Sequence, residues 1–141
     1  MLADLPDRFW DVPYDGARHP GALDALDLDS GANCQTWAYG VLSWFGIDVP
    51  PLRSDELWRD TKATRRVEAP EPLDLVLYNA TDEPFGAHVG VWTGAAVAHL
   101  CFEVGRPVVW LEPELLSRPR YAVRVGIKRA RRVGRRGAPM W

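Results

Sequence analysis

The chain has 141 residues, of which 47% are hydrophobic and 26% charged, and its formal net charge is −2 at neutral pH. This length fits one domain, and seven tryptophans among the apolar residues are enough for a packed core. A net charge so close to zero excludes a global attraction to nucleic acid or to an anionic membrane surface.

The charges are unevenly distributed along the chain. The aspartates of the first thirty residues are Asp4, Asp7, Asp11, Asp15, Asp24, Asp27 and Asp29. The basic residues near the end are Lys128, Arg129, Arg131, Arg132, Arg135 and Arg136. We predict one domain over residues 1–129 and a basic, flexible tail over residues 130–141. Such a tail can contact phosphate or a wall polymer, but no aromatic residues alternate with its arginines, so we expect no nucleic-acid partner.

Residues 1–32 are rich in Pro, Gly and Asp, which predicts a short helical start and then a long loop that carries Pro13-Tyr14. The first seven residues lack the basic start and the apolar run of a signal peptide, and no later segment is apolar enough to span a bilayer. We therefore expect a cytoplasmic protein or one exported by a non-classical route. A leader removed earlier would leave the same sequence.

A buried helix is predicted from Cys34 to Phe45. Asn33 is a suitable N-cap, apolar residues lie on most faces of the segment, and Gly46 ends it. Because Cys34 is in the first turn, the amide dipoles of the helix are expected to lower the pKa of its thiol. A second, short helix is predicted over residues 55–61 with Ser54 as its cap, and a polar loop follows over residues 62–72.

Five short apolar segments bounded by Gly, Pro or charged residues then predict strands, over residues 73–78, 88–93, 96–102, 107–111 and 121–128. Helices first and strands afterwards indicate an α+β fold, with N-terminal helices packed on an antiparallel sheet of five to six strands. The tight turn over residues 93–95 places His88 and His99 on neighbouring strands.

Cys34 and His88 are the residue types that a cysteine hydrolase needs. A thiol attacks an amide carbonyl only when a base helps to form the thiolate, and the usual base is a histidine distant in sequence. We expect Cys34 to be reduced and Cys101 to be packed in the core, with a disulfide between them as the alternative. Without a close ligand pair such as CxxC or HxxxH we expect no metal and no cofactor. A metal held by Cys34, His88 and His99 together is the remaining alternative.

The order of these segments resembles the NlpC/P60 cysteine peptidases, a family of the papain-like superfamily. In that family an upstream tyrosine precedes an Asp-Cys-Ser-Gly motif, a Gly-Asp-Leu-Val strand, a His-Val-Gly-Ile-Tyr strand and a polar residue on the next strand. The corresponding segments here are Pro13-Tyr14, Asn33-Cys34-Gln35-Thr36, Leu73-Asp74-Leu75-Val76, Ala87-His88-Val89-Gly90-Val91-Trp92 and Val97-Ala98-His99. With residues 121–129 as the closing strand, the resemblance covers residues 13–129 and implies the papain-like NlpC/P60 fold.

The resemblance implies a role for each site residue. Cys34 is the nucleophile that forms a thioacyl-enzyme, His88 is the general base and acid, and His99 orients His88. The backbone N–H of Cys34 and the Tyr14 hydroxyl are candidate donors to the oxyanion. Asn33 and Gln35 belong to the surrounding substrate shell.

Two departures from the family pattern leave the substrate open. Asn33 replaces the aspartate, and Gln35-Thr36 replace Ser-Gly, which removes a charged anchor for the free amino end of a substrate. The leading hypothesis is a cysteine amidase or endopeptidase that cuts peptidoglycan stem peptides between a D-configured residue and a diamino acid. The alternatives are a thiol acyltransferase, deamidase or toxin acting on a non-wall substrate, and a catalytically retired binding module. We expect a monomer, and phage-tail or toxin delivery with a delivery or immunity partner stays open.

Overall fold

The computed structural model describes residues 2–22 and 28–132. Two 3-10 turns, Leu2–Asp4 and Asp7–Asp11, precede the first helix, and a third, Pro119–Tyr121, precedes the last strand. The helices are α1 (Cys34–Trp44), α2 (Ser54–Arg59) and α3 (Glu112–Leu116). The strands are β1 (Thr64–Val67), β2 (Leu75–Asn79), β3 (His88–Trp92), β4 (Val97–Leu100), β5 (Pro107–Trp110) and β6 (Val123–Ala130).

All six strands form one antiparallel sheet in the order β1-β6-β2-β3-β4-β5. Helix α1 packs across β3 and β4 near the middle of this order. The predicted α+β architecture with helices on an antiparallel sheet is therefore confirmed. The packing also places the first turn of α1, which carries Cys34, over the strand that begins with His88.

Helix α1 is almost completely enclosed by the rest of the described chain. Trp37, Val41 and Leu42 are fully buried, and the Trp37 indole donates a hydrogen bond to the Phe9 carbonyl at 2.7 Å. The predicted N-cap is confirmed, because the Asn33 side chain accepts from the backbone N–H of Thr36 at 2.9 Å. A fixed start of this kind sets the position of the Cys34 side chain.

The sequence interpretation missed strand β1, because residues 62–72 were expected to be a loop. Thr64 to Val67 pair with β6. Because exposed Arg65 and Arg66 occupy the middle of this segment, it lacks the apolar alternation that predicts a strand. Charged side chains are common on such edge strands, because they discourage pairing with another chain. The Asp60 carboxylate accepts from the backbone N–H of Thr64 at 2.7 Å and so fixes the turn into β1.

Ser54 is the first residue of α2 and not its N-cap, since the helix begins one residue earlier than predicted. The cap is at Arg53, whose backbone N–H donates to the Glu56 carboxylate at 2.9 Å. The Ser54 hydroxyl instead accepts from the backbone N–H of Gly86 at 2.9 Å. This bond ties α2 to the loop that leads into His88.

The predicted tail over residues 130–141 lies partly within the described chain. Ala130 ends β6, and the backbone N–H of Arg131 donates to the Ala63 carbonyl at 2.8 Å. Residues 133–141, with the two last arginines, lie outside the described residues. Within residues 2–22 and 28–132, no helix has the length and apolar character needed to cross a bilayer.

Candidate active site

Cys34 and His88 line the same surface pocket, which has a volume of about 240 Å³. The first turn of α1 supplies Cys34 and the first residue of β3 supplies His88. Aromatic and basic side chains complete the wall, namely Tyr14, Phe102, Arg120 and Tyr121. The fold thus brings together two residues that are far apart in the sequence, beside an opening that a small part of a substrate can enter.

The Cys34 thiol is protonated in the resting protein. Burial of its sulfur raises the pKa to about 11, although the backbone N–H groups of Val89, Gln35 and Cys34 itself act in the opposite direction. Cys34 nevertheless keeps intermediate exposure, since it lines the pocket. The expected lowering effect of the helix-start amides is present, but the loss of solvation outweighs it and the net pKa is raised.

His88 and His99 form a hydrogen-bonded pair across β3 and β4. Nε2 of His88 lies 2.8 Å from Nδ1 of His99, and the two rings meet nearly at a right angle. Gly90 makes this close approach possible, because a Cβ there would collide with Val97 and lie 3.4 Å from the His99 Cβ. The predicted neighbourhood of the two histidines is present, with Nδ1 of His88 left for another partner.

Both histidines are neutral near pH 7. Burial, then the nearby His99 and Arg120, hold the pKa of His88 well below its usual value. Burial, then the Arg118 guanidinium, lowers the pKa of His99 to about 4. A neutral imidazole is able to accept a proton, which a general base requires.

If His88 acts as a base, that role determines which nitrogen of each histidine carries the proton. If Nδ1 of His88 is to accept a proton, its Nε2–H donates to Nδ1 of His99, and His99 then carries its proton on Nε2. The Nε2 atom of His99 is buried and has no hydrogen-bond partner among the described residues. The ring packs against Trp110, with the centroids 4.8 Å apart and the ring planes inclined by 71°.

Tyr121 supports the His88 ring from the other side. The two rings are 4.5 Å apart at their centroids and inclined by 30°. The Tyr121 hydroxyl lies beside the Cys101 thiol without a well-formed hydrogen bond among the described residues, and burial raises its pKa. Cys101 itself is fully buried and free, as is expected for a packed cysteine.

Tyr14 reaches the pocket from the N-terminal loop. A parallel bridge to Ala32 and a hydrogen bond from its backbone N–H to the Gly105 carbonyl at 3.0 Å hold the segment. Burial and the neighbouring Cys34 raise the pKa of its hydroxyl, so the group stays a neutral donor. Tyr14 and Cys34 line the same pocket, and the role of Tyr14 as an oxyanion donor or substrate contact stays a prediction.

Asn33 and Gln35 have other hydrogen-bond partners. The Asn33 side chain caps α1, and the Gln35 amide donates to the Tyr39 hydroxyl at 3.2 Å and to the Leu52 carbonyl at 3.0 Å. Gln35 is only 5% exposed. These contacts stabilise the start of α1, and they leave the predicted role in substrate binding without support.

The Cys34 thiol and the His88 ring share the pocket without a hydrogen bond between them. The hydrogen bond made by the His88 ring goes to His99, and the groups directed at the sulfur are backbone amides. A neutral thiol beside a neutral imidazole is the resting state that these environments favour. A nucleophilic role for such a thiol would require proton transfer to accompany attack, as it does for a serine hydroxyl.

Sequence reasoning assigned no site role to four polar or aromatic residues of the pocket, Asn79, Phe102, Arg120 and Tyr121. Asn79 ends β2, and its amide donates to the Glu83 and Phe85 carbonyls, which shapes the loop before His88. Arg120 follows Pro119 in a turn with no recognisable motif. Polar residues at strand ends next to the predicted histidine strand were the available signal.

No group of three or more His, Cys, Asp or Glu side chains in the described part of the chain is arranged to hold a metal ion. The chain matches no protein-family model, and no curated protein matches it significantly. The site is therefore interpreted from its own geometry.

Proposed function

We propose that this protein is a cysteine amidase or endopeptidase in which Cys34, His88 and His99 form the catalytic triad. The observation that carries the proposal is that His88 lines the same pocket as Cys34 while its ring lies 2.8 Å from that of His99 behind it. We also propose that the α+β fold is the papain-like NlpC/P60 arrangement, since the order of the site elements follows that family.

The proposed reaction begins with Nδ1 of His88 accepting the proton of the Cys34 thiol while the sulfur attacks the amide carbonyl. The imidazolium is stabilised by Nδ1 of His99, and it then returns the proton to the leaving amine. Water hydrolyses the thioacyl-enzyme with His88 acting again as the base. The backbone N–H of Cys34 and the Tyr14 hydroxyl are the proposed donors to the oxyanion.

The substrate that we propose is a stem peptide of peptidoglycan, cut between a D-configured residue and a diamino acid. The resemblance in sequence order supports this substrate, whereas the neutral Asn33 supports it less than an aspartate would. An acyl transfer or deamidation on a protein substrate uses the same chemistry with a different acceptor.

Digestion of purified peptidoglycan and of defined stem peptides tests the proposal. Wild-type protein is expected to release new amines that mass analysis identifies, and Cys34→Ala is expected to reduce release to the background rate. Cys101→Ala is the matched control, because it removes the other cysteine. Equal release by wild type and Cys34→Ala contradicts the proposal.

Two observations favour a second candidate, a binding module that no longer catalyses. The pKa of Cys34 is raised to about 11, and the thiol has no hydrogen bond to His88. A retired site would bind an amide ligand without forming an adduct at Cys34. Binding of a stem peptide with no release of product and no thioacyl mass would support this candidate.

A further inference from the structure

Arg120 occupies one wall of the pocket that contains Cys34. It lies in the turn before β6 and is exposed, yet its guanidinium is stacked over the Phe102 ring at 4.5 Å from the centroid. Phe102 in turn meets the Tyr14 ring edge-on at 5.2 Å. This stack holds the charge of an otherwise long and flexible side chain at the rim of the site.

The charge of Arg120 is not neutralised by a carboxylate of the described chain. Neighbouring arginines in the sequence are paired: Arg118 with Glu103 at 3.2 Å, and Arg124 with Glu112. No salt bridge of Arg120 is formed within residues 2–22 and 28–132. The residues that line the pocket also include no aspartate or glutamate.

We propose that Arg120 is a specificity-determining residue that binds a free carboxylate of the substrate beside the amide bond attacked by Cys34. The inference rests on the proposed function and adds the residue that recognises a charged group of the substrate, a carboxylate near the amide bond. A guanidinium presents two parallel N–H groups that fit a planar carboxylate. One arginine balances one negative charge, so a carboxylate matches the pocket better than a doubly charged phosphate.

Binding of a carboxylate at Arg120 also favours the chemical step. The positive charge of Arg120 is one of the causes that lower the pKa of His88, and so it opposes formation of the imidazolium. A bound carboxylate offsets that charge when His88 takes the thiol proton. A substrate that carries the carboxylate is therefore expected to have a higher kcat as well as a lower KM.

Alkylation of Cys34 with a charged and a neutral reagent tests the charge of the pocket without any turnover. The rate constants for iodoacetate and iodoacetamide are measured in wild type, Arg120→Ala and the control Arg59→Ala, whose arginine pairs with Asp55 on α2. The iodoacetate-to-iodoacetamide ratio is expected to fall about tenfold in Arg120→Ala, the size of one charge-assisted interaction. It is expected to stay unchanged in Arg59→Ala. An equal ratio in wild type and Arg120→Ala overturns the inference.

Matched peptides that carry a free carboxylate or a carboxamide next to the scissile amide, on either side of it, give a second readout. Arg120→Ala is expected to lower kcat/KM about tenfold or more for the carboxylate peptide and by less than about threefold for the amide. Equal losses for both peptides overturn the inference while leaving the proposed function intact. Conversely, if no peptide is cut but Cys34→Ala binds the carboxylate peptide better than the amide through Arg120, the proposed function fails while Arg120 is still shown to bind a carboxylate.

Discussion

His99 shows how a single buried residue can determine what its neighbour does. Its Nδ1 is within hydrogen-bond distance of His88, its Nε2 has no hydrogen-bond partner among the described residues, and its ring is fully buried. The hydrogen bond to His99 therefore determines which ring nitrogen of His88 carries the proton. His99 itself does not reach the pocket surface. In these terms His99 is a positioning residue of the proposed triad.

Replacement of His99 tests this role. We expect His99→Ala to lower kcat about 100-fold or more, because His88 loses its orientation and its stabilising acceptor. His99→Asn keeps a side-chain oxygen as acceptor and is expected to recover part of that loss. Steady-state kinetics on a defined stem peptide measure both variants, with Cys101→Ala as the control. Full activity in folded His99→Ala contradicts the assignment.

At the scale of elements, β3 and β4 have to approach closely for the two histidines to meet. Gly90 faces Val97 across this pair of strands, and it has no side chain to hold the backbones apart. The sequence pattern His88-Val89-Gly90 shows a glycine in a strand, which often marks a close approach of backbone or side chain. The site geometry therefore depends on a residue that takes no part in the chemistry.

We expect Gly90→Ala to destabilise the fold by about 1–3 kcal/mol, as overpacking in a core does, and to separate the histidine pair. Chemical denaturation gives the free energy of unfolding, and kinetics give the activity of the folded fraction. Adding Val97→Ala removes the side chain that the new Cβ would meet, so the double variant is expected to be more stable than the sum of the single effects. Strict additivity would argue against the contact.

The elements that carry the site were those that the sequence predicted best. Helix α1 has a cap and a continuous apolar run, and β2 to β5 each have an apolar core bounded by turns. Strand β1 was missed because Arg65 and Arg66 obscure its pattern. The helix start predicted that backbone amides lower the pKa of Cys34, but the sequence does not reveal the burial of the sulfur, which outweighs that effect.

At the scale of the whole molecule, the buried histidines couple folding to pH. The pKa of His99 is lowered to about 4 in the folded state, and that of His88 is lowered as well. A lowered folded pKa means that the stabilising contribution is present above the unfolded value of about 6.5 and is lost as the pH falls from there toward the folded value. Acid therefore favours the unfolded chain, which binds protons more readily.

We expect the free energy of unfolding to decrease between pH 6.5 and pH 5, with each of the two histidines contributing up to about 1.4 kcal/mol per pH unit. His99→Asn removes one titrating group and is expected to flatten this dependence. Denaturant titrations across this range measure it, with His19→Asn as the control for a histidine outside the pair. An unchanged slope in His99→Asn would show that the pair does not titrate as described.

The central claim is that His88 acts on the Cys34 thiol, although the resting structure has no hydrogen bond between them. The most direct measurement is the rate constant of Cys34 alkylation by iodoacetamide at pH 7 in wild type and in His88→Gln, with the labelled site identified by mass. The account predicts that His88→Gln reacts at least about tenfold more slowly, because a thiol with a pKa of about 11 needs the base to react at this pH. Equal rate constants in two folded proteins would contradict it.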